Sequence, residues 1–482
     1  MNYRMVFYNI GRILLVEAAL LAFPAIVAII YNEKTLISFA LTIAALTVIG
    51  LPAVRKKPKK TAIYAKDGYV IVAMAWILMS LFGAMPFYFS GHIPSFIDSF
   101  FETVSGFTTT GSTILRSIEN LPKSLLFWRS FTHWIGGMGI LVFVIAIMPK
   151  TESSSMHVMR AEVPGPTVGK LVSKLRASAR ILYGIYCILT AVQFVLLIAG
   201  GMPVFDSMVT SFATAGTGGF AVLNNSIEGY NSVYAEMVIA VFMLIFGVNF
   251  NIYYMFLIKQ GKHALKNEEL RCYIGIVIGS VILIAICLAN TKYSIGDSIR
   301  YALFQVASII TTTGFSTANF DTWPVFTKII LVFLMFIGAC AGSTGGGIKV
   351  SRLMILVKSG LRDIKKAINP RSIETVKVDK HTVDEPVVKS VSVFFATYMI
   401  VTAFSTLIIS IDGRDLVTTF TAVLSCMSNI GPGLGAVGPY GNFADFSAFS
   451  KLVLSFDMLA GRLELIPMLM LFSPYAWAKK YS

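Results

Sequence analysis

Charge is scarce in this chain. Asp, Glu, Lys and Arg make up 13% of its 482 residues, where a soluble domain carries roughly 25%, so an ordinary water-soluble globule is a poor fit. Cysteine provides no framework: Cys187, Cys272, Cys287, Cys340 and Cys426 sit singly in or beside apolar segments, without the paired spacings of a disulfide scaffold or a zinc site. His92, His133, His157, His263 and His381 are just as scattered. His133 could serve as a proton relay inside the membrane, but a satisfied helix-end histidine fits it better. Lys and Arg are absent from 91–99, 219–233 and 431–450. They gather instead at 55–60, 150–180, 259–271, 349–380 and 479–480. This alternation is the positive-inside pattern. It accounts for the net charge of +15 by topology and leaves nucleic-acid binding without support.

Apolar residues, 56% of the chain, are concentrated in long runs. These cover 13–30, 36–54, 70–89, 125–148, 181–199, 237–258, 273–289, 329–341, 391–411 and 452–472, most of them near the roughly 20 residues a spanning helix needs. The expectation is an all-α polytopic membrane protein with about ten crossings and both termini in the cytoplasm. The first run lacks a small-residue cleavage site and is followed at once by another span, so it reads as a retained helix.

Hydroxyl-rich and glycine-rich stretches interrupt this apolar background. Phe107-Thr108-Thr109-Thr110-Gly111-Ser112-Thr113 and Thr311-Thr312-Thr313-Gly314-Phe315-Ser316-Thr317 are close matches, with weaker echoes at Gly216-Thr217-Gly218-Gly219-Phe220 and Ser428-Asn429-Ile430-Gly431-Pro432-Gly433. Gly111, Gly219, Gly314 and Gly431 are separated by 108, 95 and 117 residues, a period of the kind internal repeats show. Each stretch follows a segment too short to span, with Asp98, Asp206, Asp297 or Asp415 near its start as a candidate helix N-cap. The Asp-to-Gly distances are 13, 13, 17 and 16 residues, and the longer two predict about one extra helical turn. The expected organisation is an N-terminal transmembrane hairpin and basic linker, 1–67, followed by four units at 68–177, 178–268, 269–380 and 381–482. Each unit is helix, half-helix, exposed backbone, helix. Non-helical backbone at membrane depth is tolerated where protein or water surrounds it, which four copies around one central pore would provide.

A cation crossing a bilayer needs replacements for its water, and rings of backbone carbonyls suit K⁺. The four stretches contain no Asp or Glu, which favours a monovalent ion over a divalent one. The longer segments 101–111, 310–317 and 429–435 resemble those of the bacterial Trk/Ktr/HKT potassium-uptake family, and the resemblance covers essentially the full length. It implies a four-part selectivity filter made of Thr110 with Gly111, Gly218 with Gly219, Thr313 with Gly314 and Ile430 with Gly431. The second and fourth stretches depart from Thr-x-Gly. In the second, Gly216, Gly218 and Gly219 compete, and Gly219 is preferred because Gly219-Phe220 aligns with Gly314-Phe315.

Two further features lie in apolar runs. Gly338 to Gly347 holds five glycines in ten residues, which should break a helix at roughly 1 kcal/mol each relative to Ala. No Gly-Lys-Ser/Thr ending makes it a phosphate loop. A glycine face for tight packing is one reading. An intramembrane gating loop formed by Gly342, Ser343, Thr344, Gly345, Gly346 and Gly347 is the preferred one, with Lys349 and Arg352 marking the return to the cytoplasm. Arg462 lies in the last run, where a charge is a functional hypothesis by default. It either pairs with Glu464 or Asp457 or faces the pore as a cation that repels K⁺. The resemblance implies the same gate and the same arginine role.

The resemblance also implies K⁺ uptake across the bacterial inner membrane, no catalytic chemistry, no cofactor beyond the transported K⁺, a homodimer in lipid, and gating by a TrkA-like cytoplasmic nucleotide-binding ring. The basic segments 150–180, 259–271 and 349–380 are its candidate docking surfaces. Two rivals remain open. An H⁺- or Na⁺-coupled symporter would need a titratable group, with Glu102 and Asp457 as candidates. A membrane-embedded hydrolase would use Ser343 or His133, but no convergent base and acid set accompanies them.

Overall fold

The structure, a computed structural model, describes residues 1–55, 58, 65–139 and 175–477. It is an all-α membrane protein. Among the described residues the strand content is one short antiparallel pair, Lys377–Val378 with His381–Thr382. The chain opens with α1 (Tyr3–Leu20), α2 (Ala22–Ile30) and α3 (Leu36–Val54). Helices α1 and α3 meet through glycine: a side-chain carbon at Gly11 would lie 2.6 Å from Ala53 Cβ, and one at Gly50 2.9 Å from Leu15, the close approach small residues allow between membrane helices. Next come α4 (Ala65–Gly83), α5 (Met85–Phe89), α6 (Phe96–Phe107), α7 (Lys123–Gly137), α8 (Leu175–Ala199), α9 (Val204–Gly216), α10 (Val233–Phe246) and α11 (Phe250–Leu257). The remainder comprises α12 (Glu268–Ala289), α13 (Ile295–Ile310), α14 (Val325–Phe336), α15 (Val350–Ile368), α16 (Glu385–Ile409), α17 (Leu416–Ser428), α18 (Ala448–Arg462) and α19 (Ile466–Leu471).

Among the described residues, six helices are long and apolar enough to cross a membrane, or seven if α10 and α11, bent by 89°, count as one span. The shortfall from ten has local causes. The run at 329–341 stops at Phe336 because the glycine cluster follows it. The run at 452–472 is broken beyond Arg462, where Glu464 and Leu465 both adopt positive φ. The later part of 125–148 lies outside the described residues, as do most of the basic linker, the basic segment at 150–174 and Lys479-Lys480. On α12, Ile274, Ile278, Ile282 and Ile286 stay exposed at helical spacing, the apolar outward face that lipid rather than water would cover.

Helices α6, α9, α13 and α17 have 12, 13, 16 and 13 residues, too short to span. Asp415 is the N-cap of α17, accepting from Thr418 N at 2.9 Å. The other three aspartates are not caps. Ser95 and Ser294 cap α6 and α13 by accepting from Asp98 N and Asp297 N, and Pro203 precedes α9. Asp98, Asp206 and Asp297 sit in the first turn, where a carboxylate complements the helix dipole. The extra turn therefore belongs to α13 alone among these four. The long spacing from Asp415 to Gly431 arises because Asp415 stands one position before its helix, not inside the first turn.

The short helices are held by α7 and α18 at close range. A side-chain carbon at Gly136 would lie 1.9 Å from Phe107 O at the end of α6. Gly136→Ala is expected to destabilise the fold by roughly 3 kcal/mol or more, the severe end of overpacking, seen as loss of monodisperse protein on size-exclusion of detergent extracts.

Candidate functional site

Helices α6, α9, α13 and α17 end in the same turn. Thr109, Thr217, Thr312 and Asn429 take left-handed backbone angles, with φ of 57°, 55°, 58° and 58°. The next N–H, of Thr110, Gly218, Thr313 or Ile430, donates back to Ser105, Ala213, Ser308 or Ser425 O at 2.8–2.9 Å. This is the Schellman closure, in which glycine is the usual left-handed residue. Threonine there is an outlier because its Cβ is branched, and backbone strain of this kind is retained where the surroundings enforce it. The following residue in each turn is Gly111, Gly219, Gly314 or Gly431, with φ of 81°, 74°, 83° and 103°.

These glycines close into a ring. A side-chain carbon on Gly111 would lie 2.0 Å from Gly218 O, on Gly219 1.9 Å from Thr313 O, on Gly314 2.1 Å from Ile430 O, and on Gly431 2.7 Å from Thr110 O. Each glycine therefore abuts the carbonyl that precedes the next glycine, and the fourth returns to the first. In the second stretch the ring position falls on Gly219. Gly216 packs on the His133 backbone and Gly218 on the His133 ring. The loops beyond the ring interlock in the same order: Ile118 N donates to Asn224 Oδ1 at 2.9 Å, Ile227 N to Ser316 O at 3.2 Å, Gly435 N to Asp321 Oδ1 at 3.3 Å, and Phe443 N to Thr113 O at 2.8 Å. All four ring glycines line one cavity of about 100 Å³ on this side.

On the opposite side the glycine-rich segment forms a loop between α14 and α15. It is pinned to the bend between α10 and α11, where Cys340 N donates to Gly247 O at 3.0 Å and Phe250 N to Gly342 O at 3.0 Å. It also reaches the turns under the ring: Gly346 N donates to Thr312 Oγ1 at 2.7 Å, and Gly346 lies against Ser428 O and Asn429. Lys349 is buried, its ammonium donating to Gly345 O and, at 3.2 Å, to Gly346 O. Arg352 is buried too and pairs with Glu464. Both cations belong to the packed base of the loop. Arg462 closes the arrangement. Its Nη1 donates to Thr109 Oγ1 at 3.0 Å and Thr344 O at 2.8 Å, and its Nη2 to Gly136 O at 2.5 Å and Gly137 O at 2.9 Å. The named acceptors are a hydroxyl and three carbonyls, so the side chain ties one turn of the ring to the loop and to the open C-terminal end of α7.

A family model described as TrkH, cation transport protein, matches residues 33–480. The chain belongs to the TrkH family. It is 35% identical over 483 residues to the Trk system potassium uptake protein TrkH of Salmonella typhimurium, covering 99% of this chain and all of that protein. To Trk system potassium uptake protein TrkG of Escherichia coli it is 32% identical, covering 94% of each. The crystal structure of the potassium transporter TrkH from Vibrio parahaemolyticus superposes with a TM-score of 0.89 at 33% identity, covering 99% of this chain and 100% of that one. These relatives are transport proteins, not enzymes, by their names.

Within this TrkH-family fold the groups considered for other chemistry are engaged structurally. His133 Nδ1 lies 2.7 Å from Gly106 O and its Nε2 accepts from Phe220 N at 3.3 Å. The imidazole therefore carries its proton on Nδ1 and bridges α6 to the second stretch. Ser343 Oγ donates to Cys340 O at 2.7 Å. Glu102 forms a buried ion pair with Arg129 at 2.8 Å. Asp457 is buried and accepts from Ser405 Oγ at 2.7 Å. Among the described residues no group of three or more His, Cys, Asp or Glu comes together as a metal site. Sequence reasoning missed the four left-handed residues, and it missed Arg129. The signal for Arg129 was present: it is a cation inside the run 125–148, the same warning that flagged Arg462.

Proposed function

We propose that the chain takes up K⁺ through the ring of Thr110, Gly111, Gly218, Gly219, Thr313, Gly314, Ile430 and Gly431. The observation that carries this reading is the cyclic closure of glycine on carbonyl around four turns. Carbonyls so arranged can replace the hydration shell of K⁺, and the four helices that end there direct their partially negative C-termini toward it. Residues 68–177, 178–268, 269–380 and 381–482 are the four units that build this pore. Gly342 to Gly347 and Arg462 form the gate beneath, a reading supported by the contacts of Gly346 and Arg462 with the turns that carry the ring. In the inner membrane the protein works as a homodimer with a TrkA-like nucleotide-binding ring on its cytoplasmic face. Exposed Lys365 and Lys366 on α15 suit that contact better than the buried Lys349 and Arg352.

Conduction down the K⁺ gradient needs no titratable partner. Glu102 is engaged by Arg129, Thr113 and Ile114, which weighs against it as a symport group. Asp457 keeps coupled symport as the second reading, because its Oδ2 is buried with no hydrogen-bond donor among the described residues. In planar bilayers holding the purified protein, the reversal potential is expected to follow the K⁺ gradient alone. A reversal potential that moved with an imposed pH or Na⁺ gradient would replace the channel reading with symport.

A further inference from the structure

Glu102 and Arg129 stand behind the ring, not in it. Of the positions nine residues ahead of the ring glycines, Glu102, Thr210, Gln305 and Ala422, one carries charge, so the fold as such does not demand an ion pair there. Both side chains are almost fully buried, at 1% exposure for Arg129 and 0% for Glu102. The carboxylate accepts from Arg129 Nε at 2.8 Å, from Thr113 Oγ1 at 2.9 and 3.0 Å, and from Ile114 N at 3.0 Å. Thr113 and Ile114 are the second and third residues beyond Gly111. The guanidinium faces the neighbouring arm: it lies 4.0 Å from the centre of the Phe220 ring and donates to Ala221 O at 3.4 Å. Phe220 and Ala221 directly follow Gly219, and the Phe220 ring also meets His133 at 4.2 Å between centroids. One ion pair thus grips the outgoing strands of two adjacent ring members. Thr113 O in turn accepts from Phe443 N, which extends the grip to the fourth arm.

We propose that Glu102 and Arg129 are positioning residues for ion selection: their pair fixes the Gly111 arm against the Gly219 arm and so sets the spacing of the carbonyls between them. The proposal rests on the reading of the ring as the filter. Charge-assisted bonds in a dry site hold geometry more firmly than neutral ones, and the planar guanidinium, with Nε and Nη2 both on Glu102 Oε1, fixes orientation in a way an ammonium cannot. Removing one partner strands a buried charge and threatens folding, whereas removing both with near-isosteric neutral groups is often tolerated.

The experiment compares wild type, Arg129→Lys, the double variant Glu102→Gln/Arg129→Met, and Gly111→Ser, as full-length protein in liposomes, with K⁺ and Na⁺ flux normalised to folded protein. Arg129→Lys and the double variant are each expected to raise Na⁺ flux relative to K⁺ by on the order of tenfold, the effect of losing one charge-assisted hydrogen bond. The double variant is expected to recover the protein yield that a lone charge removal loses. A double variant that folds and selects like wild type, while Gly111→Ser loses selectivity, would overturn the brace and leave the filter standing. Wild-type selectivity in the double variant and in Gly111→Ser together would overturn both. A purely structural pair would change yield and leave the flux ratio unmoved.

Discussion

Gly111→Ser and Gly314→Ser are each expected to abolish the preference for K⁺ over Na⁺, with growth of a K⁺-requiring strain in low K⁺ lost as a consequence. Two effects act together. The backbone at these glycines has φ of 81° and 83°, where an L side chain is strained by about 1–2 kcal/mol. The added carbon would also lie 2.0 Å from Gly218 O or 2.1 Å from Ile430 O, far inside contact distance, so the carbonyl of the neighbouring arm must move. A displaced carbonyl no longer matches K⁺ better than the smaller, more strongly hydrated Na⁺. Because each ring glycine touches the next arm, one substitution disturbs two of the four positions. A selectivity loss on the order of tenfold to a hundredfold corresponds to about 1.4–2.8 kcal/mol, within reach of that displacement. Ion flux into liposomes under K⁺ and Na⁺ measures it directly. Unaltered selectivity in both variants would sink the assignment of the ring as a filter.

The ring's members were legible in the sequence because glycine and threonine are rare enough in apolar runs for their periodic return to stand out. The choice of Gly219 followed from its neighbour Phe220, and the structure gives Gly219 the same positive φ as the other three. What escaped was set by tertiary enforcement. Propensity places glycine at a left-handed helix end, yet Thr109, Thr217 and Thr312 occupy it. Two of the three hydroxyls are engaged from below, by Arg462 at 3.0 Å and by Gly346 N at 2.7 Å. Local sequence carries no trace of partners that lie 34 and 353 residues away. The aspartates misled for a related reason: Ser95 and Ser294 were better caps, and a Ser-x-x-Asp spacing was there to be read. The sharp bend between α10 and α11 also escaped, although Gly247, Asn249 and Asn251 interrupt the run 237–258 there and Asn249 caps α11. The bend makes room for the loop that packs against Gly247 and Phe250.

Arg462→Ala is expected to raise K⁺ flux by about tenfold or more, without altering selectivity. The guanidinium sits between the turn at Thr109 and the loop at Thr344, so an ion leaving the ring toward the loop approaches a fixed positive charge. Two unit charges about 5 Å apart at an effective dielectric near 20 repel by roughly 3 kcal/mol, and each 1.36 kcal/mol of barrier is about tenfold in rate. That upper limit shrinks with any water in the path. Alanine also releases Thr344 O, Gly136 O and Gly137 O from their donors, which loosens the loop. Arg462→Lys separates the two contributions: an ammonium keeps the charge but cannot hold four acceptors in two directions. Flux in Arg462→Lys close to wild type would assign the barrier to charge. Flux equal to Arg462→Ala would assign it to the clasp on the loop. Single-channel or liposome flux of both variants decides between them, and a fall in flux on removal of the side chain would contradict a barrier of either kind.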